Sequence, residues 1–164
     1  MRACAGFAAR TTTDGQTRLP TYNEKHKKLS ELNSSLIKKI CEKIGIKTKI
    51  IFSSKLNGIT GKKDSRLVSI CKNLEISNYL SPQGSSDYIE INSPGGAFTE
   101  NNINLFYHFY EHPIYKQLNN KFVPYLSIID LLINVGFDDS LNIIKYGRKE
   151  NVSFLDFRKN YLKN

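Results

Sequence analysis

The sequence predicts an α/β fold, an open and mainly parallel (Rossmann-like) sheet with helices on both faces. Three observations predict it. Runs rich in β-branched and aromatic residues start near residues 48, 76 and 104, a rhythm of about 28 residues. Between the first two lies a helical stretch with Leu67, Ile70, Cys71 and Leu74 at i, i+3, i+4 and i+7, as a βαβ unit requires. The third run, Asn104 to Tyr110, is bulky on both alternating faces, which suits a strand covered on both sides.

In chain order, residues 1–20 show no period, and Thr11 to Gln16 is polar, so disorder is expected up to Pro20. Leu32, Leu36, Ile37, Ile40, Cys41 and Ile44 then share one helical face, with Ser30 or Asn33 placed to cap it and Gly45 to stop it. Thr48 to Phe52 reads as the first strand, within 47–53. Asp64 is expected to cap the helix after the turn Thr60-Gly61-Lys62-Lys63. The second strand, Ile76 to Ser81, runs into the loop Ser81-Pro82-Gln83-Gly84-Ser85-Ser86, after which Asp87 and Tyr88 open a short helix. Asn92 to Gly96 breaks the chain, and Phe98 to Asn102 reads as one or two helical turns. Ile128 to Ile133 is apolar almost all round, which predicts a central, buried helix ended by Gly136. Ser127 with Asp130 has the spacing of a capping box. Asp138 or Asp139 starts another helix, and residues 148–164 form either a last helix or a basic tail.

At 164 residues, with 40% hydrophobic and 24% charged, the chain reads as one soluble domain with a sizeable core. No run approaches the roughly 18 apolar residues of a membrane span. The apolar run Ala3 to Ala9 is broken by Gly6 and followed by Gln16 and Arg18, unlike a secretory signal. Cys4, Cys41 and Cys71 share no motif and read as reduced thiols of a cytoplasmic protein. The net charge of +9 is unevenly spread. Residues 38–72 carry ten Lys/Arg against Glu42 and Asp64, whereas residues 73–144 carry two Lys against eight acidic groups. The basic stretch suits an anionic small molecule, such as a nucleotide or sugar phosphate. Nucleic acid is the rival partner, but no recognised nucleic-acid motif is present.

In a parallel sheet, loops at the carboxyl ends of the strands gather at one edge, where ligands bind. That places Ser81, Gln83, Gly84 and Ser86 at a candidate binding loop, where Gly84 lets backbone amides approach a ligand and the hydroxyls and amide offer hydrogen bonds. An ordinary βα loop has the same composition. Gly61-Lys62-Lys63 lacks the first glycine of a phosphate loop, yet Lys62 and Arg66 sit where they would draw an anion to the next helix. His112, after the third strand, is the candidate general base, and Asp87 a candidate acid, base or helix cap. Tyr88 and Tyr115 are candidates to stack on a sugar or base, or are core. His108 reads as a packed strand residue, and Asp130 as a cap or a buried partner. The histidines and cysteines lack paired metal-ligand spacing, and neither Ser54 nor Ser81 lies in a nucleophile elbow. No cofactor is named by any motif.

Several stretches resemble the WbqC-like family of bacterial proteins. They are Lys39 to Ile50, Asp64 to Cys71, Tyr79-Leu80-Ser81 with Gly84 and Asp87-Tyr88-Ile89, His112-Pro113-Ile114-Tyr115, and Phe122 to Leu132. The resemblance spans residues 29–147, leaving 1–28 as a disordered or non-homologous segment and 148–164 as a basic tail or helix. The family's opening His-Gln-Pro-x-Tyr-type motif is absent, so the chain resembles the C-terminal half of a longer protein. The resemblance implies a transferase-type role in surface polysaccharide (O-antigen) synthesis, acting on an activated sugar or acyl donor. A non-catalytic binding or assembly module of the same pathway is the alternative. A missing N-terminal half or a second copy of the chain would then be a partner.

Overall fold

The computed structural model describes residues 10–11, 17–18, 26–118 and 121–162. In chain order the elements are β1 (Arg10–Thr11), β2 (Thr17–Arg18), α1 (Leu29–Lys43), α2 (Lys63–Asn73), β3 (Asn78–Pro82), α3 (Ser86–Ile89), α4 (Gly96–Glu100), β4 (Asn104–His108), α5 (Ile128–Val135), α6 (Phe137–Tyr146), β5 (Val152–Ser153) and α7 (Phe154–Tyr161). They fall into two compact units. The first comprises Met1–Thr48 and His112–Gly147, the second Lys49–Glu111 and Arg148–Asn164.

The second unit holds a three-stranded sheet of order β3-β4-β5. β3 and β4 pair in parallel from Asn78↔Asn104 to Pro82↔His108, joined through α3 and α4. β5 pairs antiparallel with β4, Phe106 opposite Ser153 and Tyr107 opposite Val152. The fold is therefore mixed α/β with a single parallel pair among the described residues, not the extended parallel sheet expected. The expected first strand does not form. Residues 48–52 belong to no strand, and Ile50 and Ile51 are each 42% exposed. Strand propensity describes a side chain that fits a half-buried pleat, and it is realised only where a neighbouring strand pairs with it. The free edge of β4 is taken instead by β5, and the chain continues directly into α7.

One buried cluster fills this unit: Val68 and Cys71 from α2, Ile89 from α3, Phe98 from α4, Ile103, Leu105 and Tyr107 on and before β4, and Phe157 from α7. Tyr79 stacks on Phe98 at 4.8 Å and Tyr107 tilts against Phe157 at 4.4 Å. On β4 the alternation is real but one-sided, with Leu105 and Tyr107 buried and Phe106 and His108 half-buried. Burial pushes the Cys71 thiol up from its ordinary pKa, which keeps it protonated and unreactive.

A carboxylate lies inside this core. Glu90, its side chain 3% exposed, accepts from the Tyr107 hydroxyl at 2.7 Å, from the Gly95 N–H at 3.0 Å and from Arg158 at 2.9 Å. A second carboxylate, Asp64, reaches out of the first turn of α2 to accept the Ala97 N–H at 2.9 Å, joining α2 to the start of α4. The helix N-cap expected of Asp64 falls to Lys62 instead, whose N–H donates to Ser65 Oγ at 3.1 Å. Gly96 is required at this junction. Its φ is +51°, and a Cβ there would lie 2.6 Å from Asp64 Oδ2 and 2.8 Å from the Ile89 carbonyl.

In the first unit, β1 and β2 pair antiparallel, Arg10 opposite Arg18 and Thr11 opposite Thr17. The rest of the stretch 1–20, for which disorder is expected, lies outside the described residues. The N-cap of α1 is Lys28, not Ser30 or Asn33, with the Glu31 carboxylate accepting the Lys27 and Lys28 N–H groups. It ends as Gly45 predicts. Ile46 N–H reaches the Cys41 carbonyl at 2.8 Å and Gly45 N–H that of Glu42 at 3.1 Å, a Schellman closure around φ +80°. The same closure ends α2, but there the left-handed residue is Glu75, at φ +55°. α5 buries Leu131 and Leu132, while Ile129 and Ile133 are 42% and 52% exposed. This helix is therefore covered on one face, although its sequence is apolar nearly all round. Among the described residues no helix is long and apolar enough to cross a membrane.

Two expected outcomes follow from the backbone and the buried carboxylate. In urea unfolding, Gly96→Ala should lower stability by roughly 2–4 kcal/mol through clash and left-handed strain, whereas Glu75→Gly should raise it by about 1 kcal/mol. The Tyr107 phenol is held well above its usual pKa, first by burial and then by Glu90. In the unfolded chain this group ionises near pH 10, so its stabilisation is complete below that pH and is lost as pH rises further. Stability should fall above about pH 10, and Tyr107→Phe should make that alkaline limb shallower; an unchanged limb would show that Tyr107 ionises in the folded state.

Candidate functional site

In the first unit the loop from His112 to Ser127 and the opening turns of α5 form one connected polar and aromatic cluster. Its centre is Asp130. The Tyr115 hydroxyl donates to Asp130 Oδ2 at 2.7 Å and Gln117 Nε2 to the same oxygen at 2.9 Å. Asn134, one turn further along α5, donates to Oδ1 at 3.1 Å and to the Asp130 carbonyl at 2.8 Å. Tyr115 is buried, and burial followed by the Asp130 charge pushes its phenol up, keeping it the donor of this pair. Ser127 does cap α5, its Oγ accepting the Ile129 N–H at 3.2 Å. The second half of the expected capping box is missing because the Asp130 carboxylate is committed to Tyr115, Gln117 and Asn134.

Gln117 has a second task. Its Nε2 donates to the Val123 carbonyl at 3.0 Å while its Oε1 accepts the Val123 N–H at 2.8 Å. One side-chain amide thus grips both polar groups of one backbone residue, as a paired strand would. Two residues on, after Pro124, Tyr125 adopts φ +61°. For a bulky residue this left-handed conformation costs on the order of 1–2 kcal/mol, and it persists only where the surroundings impose it.

His112 lies among aromatic rings. Its centroid is 5.3 Å from Tyr125, edge-on, 5.8 Å from Phe122 and 6.2 Å from Tyr115. His112 Nδ1 lies 3.1 Å from the Pro113 carbonyl. A carbonyl only accepts, so Nδ1 carries the proton and Nε2 of the neutral ring keeps its lone pair. The ring is half-buried and no described residue bonds to Nε2. The site can therefore take a proton at Nε2 beside an aromatic wall, without a carboxylate behind the imidazole.

The other sequence-predicted residues lie in the second unit. Ser81 is buried, and its Oγ is bonded to Ser85 Oγ, which donates in turn to the Pro82 carbonyl at 2.6 Å. Gln83 and Gly84 are exposed in a 3₁₀ turn, Gln83–Ser85, and Gly84 has neither a positive φ nor a neighbour that a Cβ would meet. Ser86 is buried at the start of α3, Asp87 is exposed, and Tyr88 packs half-buried against the core. Lys62 and Arg66 are exposed around the start of α2. A cavity of about 570 Å³ lies between the 58–60 loop, α2 and α4, with Thr60, Ser69, Lys72 and Glu100 in its walls, and none of the predicted residues lines it. His112 and Tyr115 are thus brought together. Gln117, Phe122 and Asn134 escape a search for chemistry by residue type, since amides and phenylalanine carry no titration signal. What marks them is their density in the stretch 112–134.

The site and fold describe a mixed α/β protein with an aromatic-framed histidine in a loop braced on Asp130. The sequence pattern of the WbqC-like protein family matches residues 16–141, and the chain belongs to that family. The match begins ahead of residue 29, where the resemblance read from sequence begins. The chain is similar to an uncharacterised protein of Mycobacterium tuberculosis, Rv1507c, with 34% identity over 119 residues, covering 71% of this chain and 49% of that protein. The chain therefore spans about half the length of this relative. No solved structure matches it significantly.

Asp130→Ala should destabilise the chain by roughly 2–4 kcal/mol in urea unfolding, because it strips a charged acceptor from three buried or half-buried donors. A change under about 0.5 kcal/mol would show that these donors find water equally well.

Proposed function

We propose that the chain serves the synthesis of bacterial surface polysaccharide, as a transferase that moves a sugar or acyl group from an activated donor. Family membership supports the pathway, and the geometry of His112 supports the chemistry. His112 acts as general base: Nε2 takes the proton of the acceptor hydroxyl or amine as that oxygen or nitrogen bonds to the sugar or acyl carbon, and the bond from that carbon to the activating group breaks, the activating group leaving with the electron pair. Its anchored Nδ1 fixes the tautomer, and the aromatic rings around it fix the orientation of the imidazole. The donor is anionic, a nucleotide sugar or comparable activated group, in keeping with the basic stretch at 38–72.

A non-catalytic binding module is the second reading, and one observation favours it. Asp130, the carboxylate of this cluster, bonds to Tyr115, Gln117 and Asn134 and not to His112, so no carboxylate orients the base. The two readings separate in the source bacterium. Replacing the gene by a His112→Ala version should abolish the high-molecular-weight surface polysaccharide ladder while protein abundance holds. A general base contributes about 10²–10⁴-fold, so residual ladder should be slight. A normal ladder from His112→Ala would remove the catalytic role and leave the binding module.

A further inference from the structure

The geometry points to Tyr125 as a ring-stacking residue, held in a strained conformation by Gln117 so that its phenol presents a flat face beside His112 to a ring of the donor. The inference deepens the reading of the His112 site and rests on it for the identity of the donor.

Three observations carry it. Tyr125 is 84% exposed although its ring centroid lies 5.3 Å from that of His112, the planes 70° apart. An aromatic ring left so open gains little from burial, so the fold has no packing reason to hold it there. Its backbone is nevertheless fixed at φ +61°. Unlike Glu75, whose left-handed backbone closes α2, Tyr125 ends no helix, so its strain is free to serve what the ring meets. Finally, the loop contains the device that holds it. Gln117 grips the peptide groups of Val123 on both sides, is itself fixed by Asp130, and leaves only Pro124 between that clamp and Tyr125. Proline has a fixed φ, so the constraint passes along the chain with little slack.

The chemistry on offer is an exposed phenol ring with an imidazole 5.3 Å away, the two planes 70° apart. It suits a ligand ring that presents a flat face, which in an activated donor is either the nucleobase or the sugar. Both stack on a phenol, and they are separated by probing with uridine diphosphate, uridine diphosphate glucose and methyl glucoside.

The test uses the whole chain, labelled with ¹⁵N and ¹³C, followed by NMR titration with each of the three probes and by thermal melting. Saturable shifts at Tyr125 and His112 are expected. A response to uridine diphosphate alone assigns the base, and one to methyl glucoside assigns the sugar. Tyr125→Phe should bind within about twofold, while Tyr125→Gly and Gln117→Ala should each lose about tenfold or more. Tyr125→Gly has a second readout that a structural role would not give. Glycine accepts φ +61° freely, so its melting temperature should rise by about 2–4 °C while binding is lost. A fall in melting temperature for Tyr125→Gly, unchanged binding in that variant, or no saturable shift with any probe would each overturn the assignment. The binding result does not depend on turnover, so it stands or falls apart from the polysaccharide phenotype of His112→Ala.

Discussion

The second unit depends on Glu90. An isolated carboxylate so deeply buried would be costly, and it is tolerated because three donors from separate parts of the chain converge on it. Tyr107 comes from the middle strand, Gly95 from the turn before α4, and Arg158 from a helix 68 residues further on. Each donor satisfies the charge only in the native arrangement. The carboxylate therefore ties β4, the turn before α4 and α7 to one another through its three donors. Arg158 is the exposed side of this arrangement, with about a third of its side chain in water. The Phe157, Tyr107 and Phe109 rings supply the burial that makes the placement favourable.

The first unit uses the same device in a shallower setting. Asp130 gathers Tyr115, Gln117 and Asn134, and through Gln117 it fixes a loop that would otherwise have no strand or helix to order it. The difference lies in what the order is used for. In the second unit the donors close a core, whereas here they brace a loop that keeps an aromatic side chain in water. A loop of this kind stays rigid only if its backbone polar groups are satisfied, and the Gln117 amide does that for Val123 as a neighbouring strand would.

Features set by local signals were legible in the sequence. Gly45 and Gly136 end their helices, Ser127 caps α5, and Asn104 opens a strand, because each effect lies within a few residues of its cause. The sheet was less legible. Thr48 to Phe52 has the composition of a strand, but it joins neither sheet of the described residues. Val152–Ser153 is only two residues long, too short for a pattern, yet it completes the sheet. Glu75 and Tyr125 adopt left-handed backbone with no glycine or asparagine to announce it. The Glu90 clamp spans too much of the chain for any spacing rule to reveal it.

The candidate site shows why residue type overcounts chemistry. Asp130, Tyr115 and Gln117 look reactive as a set, but their hydrogen bonds are directed at one another and at backbone. Outside these bonds stand the Nε2 edge of His112, to which no described residue bonds, and the exposed ring of Tyr125. The polar residues of the stretch 112–134 thus divide into a frame and what the frame presents. The division follows from hydrogen-bond direction, which a sequence does not carry. It also accounts for the density of the stretch: fixing one histidine and one tyrosine on an exposed loop takes an acid, two amides, a phenol and a proline.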